Sequence, residues 1–189
     1  MFGIIEFIEQ IDQQVFLFLN AFHSPFWDSI MYWISYKFTW IPVYLAIFLY
    51  LIYNYKKQSI LIIALLIASI AIADSTSVHF FKNIFLRYRP CHNLDLQKTV
   101  HIVRNHCGGQ YGFISSHASN VFAFAILSAW FIRIKWASFA LVLWAIVVSY
   151  SRIYLGVHYP ADIFVGAIWG SSIAIGIAFL YQKYLQNKF

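Results

Sequence analysis

Charged residues are scarce in this sequence: Asp, Glu, Lys and Arg make up 11% of its 189 residues, while 61% are hydrophobic and 21% aromatic. A soluble domain of this size is about one quarter charged. The chain cannot furnish a charged outer layer, and its mean hydropathy of +0.68 places it in the membrane. A basic leading region is also missing, and Glu6, Glu9 and Asp12 interrupt the first apolar run. A cleavable signal peptide is therefore not expected, and the chain should enter the bilayer through its own spans. Low-complexity tracts and internal repeats are absent. The net charge of +6 does not signify nucleic-acid binding, because the cations are scattered between hydrophobic runs instead of gathered on one face. Length alone implies one domain, residues 1–189,.

What is present is a series of apolar segments at about 38–54, 59–81, 118–132, 136–155 and 161–182,. The expected fold is an all-α integral membrane protein, with about five transmembrane helices over 38–182 and N-terminal interfacial amphipathic helices over 3–36,. In residues 3–22, Glu6, Glu9, Gln10, Gln13 and Gln14 fall toward one helical face and Ile4, Ile5, Ile8, Ile11 and Val15 toward the other. After the turn His23-Ser24-Pro25, residues 26–36 form a second short amphipathic piece. Lys56, Lys57, Arg133, Lys135, Lys183 and Lys188 then share one side, which the positive-inside rule makes the cytoplasm,. Lys82, Arg87, Arg89, Lys98, Arg104 and Arg152 lie on the other side, and cations held outside against that rule read as functional. A sixth span through 3–22 would move the N-terminus inside and leave these residues in place.

The outward-facing loop 83–116 holds both cysteines, Cys91 and Cys107. An oxidising exterior favours a disulfide, which in a loop of roughly 15 residues stabilises by about 3 kcal/mol in the chain-entropy model. Cys91, His92, His106 and Cys107 also match a tetrahedral zinc set, and free thiols are a third alternative.

Three stretches carry chemistry. Lys82 and Arg89 are seven residues apart, so on a continuous helix they share a face, with Pro90 ending it,. Arg grips phosphate oxygens in a fork and Lys acts as a point charge; the plainer reading is an anchor to lipid headgroups. Arg87 points elsewhere on such a helix and reads as headgroup-facing. In the second stretch, Gly112 gives a flexible approach, and Ser115 or Ser116 caps a helix starting near His117,. Free N–H groups at that start suit a phosphoryl group. In the third, Arg152 ends a span, and His158 and Asp162 are four residues apart around Pro160, which fits a first helical turn,. That spacing lets the carboxylate accept the N–H of one imidazole nitrogen in a hydrogen bond and leaves the other as nucleophile or base. Asp74 and His79 read as a polar interior face behind these groups. Cations, two histidines and a carboxylate at one membrane surface point to phosphate on a lipid.

Lys82 to Arg89-Pro90 reads Lys-x6-Arg-Pro, and Ser151 to Asp162 reads Ser-Arg-x5-His-x3-Asp. These resemble the first and third signature motifs of the type 2 phosphatidic acid phosphatase superfamily. Ile114-Ser115-Ser116-His117 is similar to its second motif, Pro-Ser-Gly-His, departing at Ile114 and Ser116. The resemblance implies hydrolysis through a phosphohistidine, without metal or cofactor. His158 would be the nucleophile, Asp162 its orienting partner and His117 the general acid. Lys82, Arg89, Ser115 and Arg152 would hold the phosphoryl oxygens, with Ser116 at the family's glycine position beside them. The expected partners are a membrane lipid phosphate substrate and the bilayer. The expected location is the bacterial inner membrane, multi-pass, with the active site on the periplasmic side. Likeness to compact family members makes undecaprenyl diphosphate, cleaved to the monophosphate, the first substrate expected; lipid A 1-phosphate, phosphatidylglycerol phosphate and phosphatidic acid follow. The alternative of a different class is a non-catalytic phospholipid-binding or transport protein, which would need the cations but not an oriented imidazole.

Overall fold

The computed structural model of the chain describes residues 2–96 and 98–184; Gln97 and Lys188, and the side chains of Ile4 and Ile5, lie outside the described residues. The helices are α1 (Phe2–Asn20), α2 (Pro25–Ser35), α3 (Ile41–Tyr55), α4 (Gln58–Ser77), the short α5 (Asn83–Phe85), α6 (Ser116–Ile132), α7 (Lys135–Tyr154) and α8 (Pro160–Tyr184). A π-helical turn, Val78–Lys82, joins α4 to α5. Four helical rods, Lys37–Tyr55, Gln58–Phe85, Lys135–Tyr154 and Pro160–Tyr184, are long and apolar enough to cross a membrane. Four of the five expected spans and the all-helical membrane fold are therefore present among the described residues.

The fifth expected span is α6, which has only 17 residues. At about 1.5 Å per residue it is roughly 25 Å long, shorter than a hydrocarbon core of roughly 30 Å. It need not reach both surfaces, because α4, α7 and α8 pack around it. Its inward residues include Phe124, Leu127 and Phe131, which meet Leu51, Ile62, Leu66, Val148 and Ala178 in the main apolar core. The opposite faces of the outer helices, with Leu45, Ile60, Phe139 and Phe179 exposed, suit lipid instead of water.

Helix α8 approaches α6 along a four-residue line of small side chains, Gly166, Gly170, Ala174 and Ala178, with Asp162 at its head. A Cβ at Gly166 would sit 2.7 Å from the Ser115 carbonyl oxygen, and one at Gly170 would meet the Ser119 backbone. Small residues let two backbones close in this way where lipid supplies no hydrophobic drive. Asp162 is thereby pressed against the start of α6.

Helix α1 turns inward a line different from the expected apolar face. Asp12, Phe16 and Asn20, four apart, are buried, while Ile8, Ile11 and Val15 are exposed. Asn20 Nδ2 donates to the carbonyls of Ile153 (3.2 Å) and Tyr154 (2.9 Å), where α7 ends, and Asn20 Oδ1 accepts from His101 N. Asp12 and Asn20 fasten α1 to the bundle, and Ile8 and Ile11 face outward. On α2, Asp28 accepts from Tyr154 Oη at 2.8 Å and pairs with His101 Nε2 at 2.9 Å. Loop 86–115 lies over this end of the bundle, with Cys91 and Cys107 joined in a disulfide across a Cα separation of 6.0 Å.

Candidate active site

All three stretches meet at the end of the bundle where α6 and α8 begin and α4 and α7 finish. Ser115 caps α6, its Oγ accepting from Ala118 N at 3.4 Å. Its own amide donates to the Asp162 carbonyl at 3.0 Å, so the two helix starts hold each other. Pro160 opens α8 and puts Asp162 in its first turn.

His158 and Asp162 form the centre. His158 Nδ1 is 3.2 Å from Asp162 Oδ2, which also accepts from Tyr159 N at 3.0 Å. His158 Nε2 lies 2.9 Å from Arg89 Nη1. Arginine only donates, so Nε2 must carry the lone pair and Nδ1 the proton. Burial first, then the neighbouring cations Arg89, Arg152 and Lys82, hold the His158 imidazole well below the ordinary histidine range. The ring is neutral, with its free lone pair turned toward the cations.

Arg89 reaches this point by another route than a shared helical face. The helix stops at Leu86, whose φ of 49° is left-handed, and residue 89 is extended. Its amide donates to Gln110 O at 3.1 Å, and Nη1 also donates to Val157 O at 3.1 Å. Lys82 faces inward because of the π-helical turn, since the extra residue carries the buried line Ala73–Ser77 on to position 82,. Its Nζ donates to Ser116 Oγ at 2.6 Å, and that hydroxyl is also 2.6 Å from Ser77 Oγ. Ser116 thus sets the lysine in place. Asp74 and His79, expected inside, are on the exposed side of the same helix, bonded to Asn120 Nδ2 and Ser75 O.

His117 and Arg152 converge on a residue that sequence reading passed over. His117 Nε2 is 3.1 Å from the Ser35 carbonyl, and Arg152 Nη1 bonds to Ser35 Oγ. Two buried donors at this site, Arg89 Nε and Arg152 Nε, have no partner, which is costly unless an anion arrives to take them.

Two further residues need correcting. Arg87 is not headgroup-facing: Nη1 donates to Asp162 Oδ1 at 3.0 Å and Nη2 to Asp12 Oδ2 at 2.8 Å. Burial opposes its charge, but Asp162, Asp12 and Glu9 outweigh that and raise its proton affinity. Gly112 serves close approach: a Cβ there would lie 3.1 Å from both Arg89 Cγ and Asp162 Oδ2. Among the described residues, the Cys91, His92 and Cys107 ligand atoms lie within 4.8 Å of one another. The disulfide occupies both sulfurs, so neither is a thiolate that could bind zinc.

The family model described as the PAP2 superfamily matches residues 59–186. The chain belongs to the PAP2 superfamily. It is a membrane lipid phosphatase of the PAP2 type. Among curated relatives, a lipid A 4'-phosphatase from Bacteroides thetaiotaomicron is 39% identical over 88% of this chain and 75% of its own length. A lipid A 4'-phosphatase from Porphyromonas gingivalis is 36% identical over 97% of this chain and 77% of its own length. A putative undecaprenyl-diphosphatase, YbjG, from Escherichia coli is 24% identical over 93% and 85%. Two solved structures share the fold. The phosphatidylglycerolphosphate phosphatase of Bacillus subtilis has a TM-score of 0.70, 17% identity, and coverage of 95% of this chain and 88% of that one. Aquifex aeolicus LpxE has a TM-score of 0.64, 22% identity, and coverage of 89% and 94%.

Proposed function

We propose that this PAP2 protein removes the 4'-phosphate of lipid A, or of a closely similar phosphorylated saccharolipid, through a phosphohistidine on His158. The observation that carries the chemistry is the His158 ring, with Nδ1 on Asp162 and its Nε2 lone pair toward Arg89. The substrate class rests on the two lipid A 4'-phosphatases that are 39% and 36% identical.

A phosphoryl group entering between Nε2 and Arg89 would draw the guanidinium onto its oxygens, together with Arg152, Lys82 and the first-turn amides of α6. Attack forms the Nε2–P bond and breaks the P–O bond to the sugar. Asp162 steadies the ring as it becomes positive. His117, with Nε2–H on the Ser35 carbonyl and a second proton on Nδ1 once the phosphate dianion is bound, gives that Nδ1 proton to the leaving oxygen. It then takes one from the water that splits the phosphohistidine, so phosphate leaves and both histidines are restored. Lys82, Ser115 and Ser116 contribute by geometry: Ser115 fixes the helix start and Ser116 fixes Lys82. The disulfide steadies the loop that carries Arg89.

On the leaving-group side, a cavity of about 610 Å³ is lined by Ser35, Lys37, Arg104, His106, His117 and Arg152. That lies within the roughly 300–1,000 Å³ of small-ligand sites and suits a sugar headgroup. An apolar groove of about 410 Å³, with Trp40, Ile41, Tyr44 and Phe124, begins at the same Ser35, Lys37 and His117 and suits an acyl chain. The active end lies opposite Lys56, Lys57, Arg133, Lys135 and Lys183, which favours an inner-membrane protein working on the periplasmic side. Undecaprenyl diphosphate is the second reading, favoured by likeness to the E. coli putative diphosphatase at 24% identity.

The test is phosphate release by purified protein on lipid A bisphosphate, undecaprenyl diphosphate, phosphatidylglycerol phosphate and phosphatidic acid, with product mapping by mass spectrometry. Loss of the 4'-phosphate at the highest kcat/KM supports the proposal. Preference for undecaprenyl diphosphate, or loss of the 1-phosphate, overturns it.

A further inference from the structure

Asp162 has a second oxygen that the phosphoryl transfer itself does not use. Oδ2 serves His158 and Tyr159, while Oδ1 accepts from Arg87 Nη1 at 3.0 Å. Arg87 is held among three carboxylates, for besides Asp162 its Nη2 donates to Asp12 Oδ2 at 2.8 Å, and Glu9 Oε1 lies 3.5 Å from its Nε. Its guanidinium carbon is 4.2 Å from the centre of the Tyr159 ring. Asp12 closes the circuit, since its Oδ1 accepts from Ala161 N at 2.8 Å in the first turn of α8. A line of charge therefore runs Asp12, Arg87, Asp162, His158, every link a hydrogen bond. Its first member lies on α1, outside the stretch matched by the PAP2 family model, residues 59–186.

We infer that Arg87 and Asp12 are positioning residues of the phosphatase, acting on the nucleophile through Asp162. This inference rests on the reading of His158 as nucleophile. A carboxylate with 0% exposure and one free oxygen would rotate or collect a proton; either event releases Nδ1–H of His158. The Arg87 fork prevents both. It holds Oδ1 in place, and its positive charge faces the negative carboxylate directly. Asp12 in turn stops the flexible arginine from leaving. The charged and titratable groups facing this line are Glu9 from α1, Lys82 from the π-helical turn, Arg89 from the loop, His117 from α6 and Arg152 from α7. Removing Arg87 leaves the negative pair Asp12 and Asp162 without the cation between them.

The experiment compares kcat and KM against pH for wild type, Arg87→Ala, Arg87→Lys, Asp12→Asn and His158→Ala, purified in detergent with the lipid on which wild type is most active. Arg87→Ala is expected to lower kcat roughly ten- to a hundredfold with KM little changed, as loss of an outer partner of a catalytic ligand does. Its acidic limb should move up by about one to three pH units, the size of a neighbouring-charge effect on a carboxylate. Arg87→Lys should recover part of both, and Asp12→Asn should lower kcat by a smaller factor with KM little changed. If Arg87→Ala keeps the wild-type kcat and acidic limb while His158→Ala is inactive, the positioning role is overturned and the nucleophile assignment stands. If His158→Ala is itself active, the underlying reading fails. A fall in Tm alone for Asp12→Asn, with its kcat unchanged, makes Asp12 a docking residue and overturns its share of the inference.

Discussion

Replacing Asp162 by Asn keeps the volume of the side chain and removes its charge, and the surrounding contacts determine the consequence. The wild-type Oδ2 takes two donors, His158 Nδ1 at 3.2 Å and Tyr159 N at 3.0 Å, and Oδ1 takes Arg87 at 3.0 Å. An amide has one oxygen, so no orientation satisfies both sides. With oxygen toward Arg87, the NH2 faces the Tyr159 N–H and pushes the His158 proton from Nδ1 to Nε2, which consumes the attacking lone pair. With oxygen toward His158, the NH2 meets a guanidinium at a site of 0% exposure. A wrong tautomer behind a catalytic imidazole costs about 10⁴-fold in kcat, or about 5.4 kcal/mol of barrier. Breaking a buried ion pair costs about 3–5 kcal/mol of stability; here that is an upper bound, because Arg87 keeps Asp12 at 2.8 Å. The assay is phosphate release at saturating lipid in detergent, beside a thermal melt. A folded Asp162→Asn protein with kcat within tenfold of wild type would refute the argument that Asp162 sets the tautomer.

Three other outcomes rest on named contacts. Gly112→Ala places a Cβ 3.1 Å from Arg89 Cγ and Asp162 Oδ2; overpacking of this kind costs about 1–3 kcal/mol, and kcat/KM should fall while far-UV circular dichroism is unchanged. Cys91→Ser with Cys107→Ser opens a loop of sequence separation 16, which the chain-entropy model values at about 3 kcal/mol; Tm should drop, and dithiothreitol should reproduce the drop in wild type. His158 has its proton affinity depressed on folding, so its stabilising contribution is present above the unfolded value of about 6.5 and is lost as pH falls below it, at about 1.4 kcal/mol per unit. Melts between neutral and mildly acidic pH should show His158→Gln as less acid-sensitive than wild type.

The spans and the His158–Asp162 pair were legible because each depends on local spacing: apolar run length in one case, an i,i+4 step after a proline in the other. Arg87 was not, because its assignment assumed a helix continuing to Pro90, whereas the chain leaves the helix at Leu86 and turns Arg87 inward. Lys82 reached the site through an extra residue in a π-helical turn, which periodicity at 3.6 does not register. Asp12 stood out in the sequence only as a charge interrupting the first apolar run, and Asn20 did not stand out at all, because amphipathic patterning assigns polar residues to water. Their partners, Arg87 and the end of α7, lie 75 and 133 or more residues away in sequence. Ser35 holds His117 and Arg152 through one carbonyl and one hydroxyl, contacts that no short motif encodes.

The central claim is that phosphate passes through a covalent bond to His158 Nε2. The most direct measurement is a rapid acid-free quench of enzyme mixed with lipid A radiolabelled in its phosphates, with peptide mapping of the protein afterwards. The account predicts a burst of label, stable to base and labile to acid, on the peptide containing His158, absent in His158→Ala and undiminished by EDTA. Phosphate released at the full wild-type rate with no label on His158, or with label on His117 instead, would contradict it.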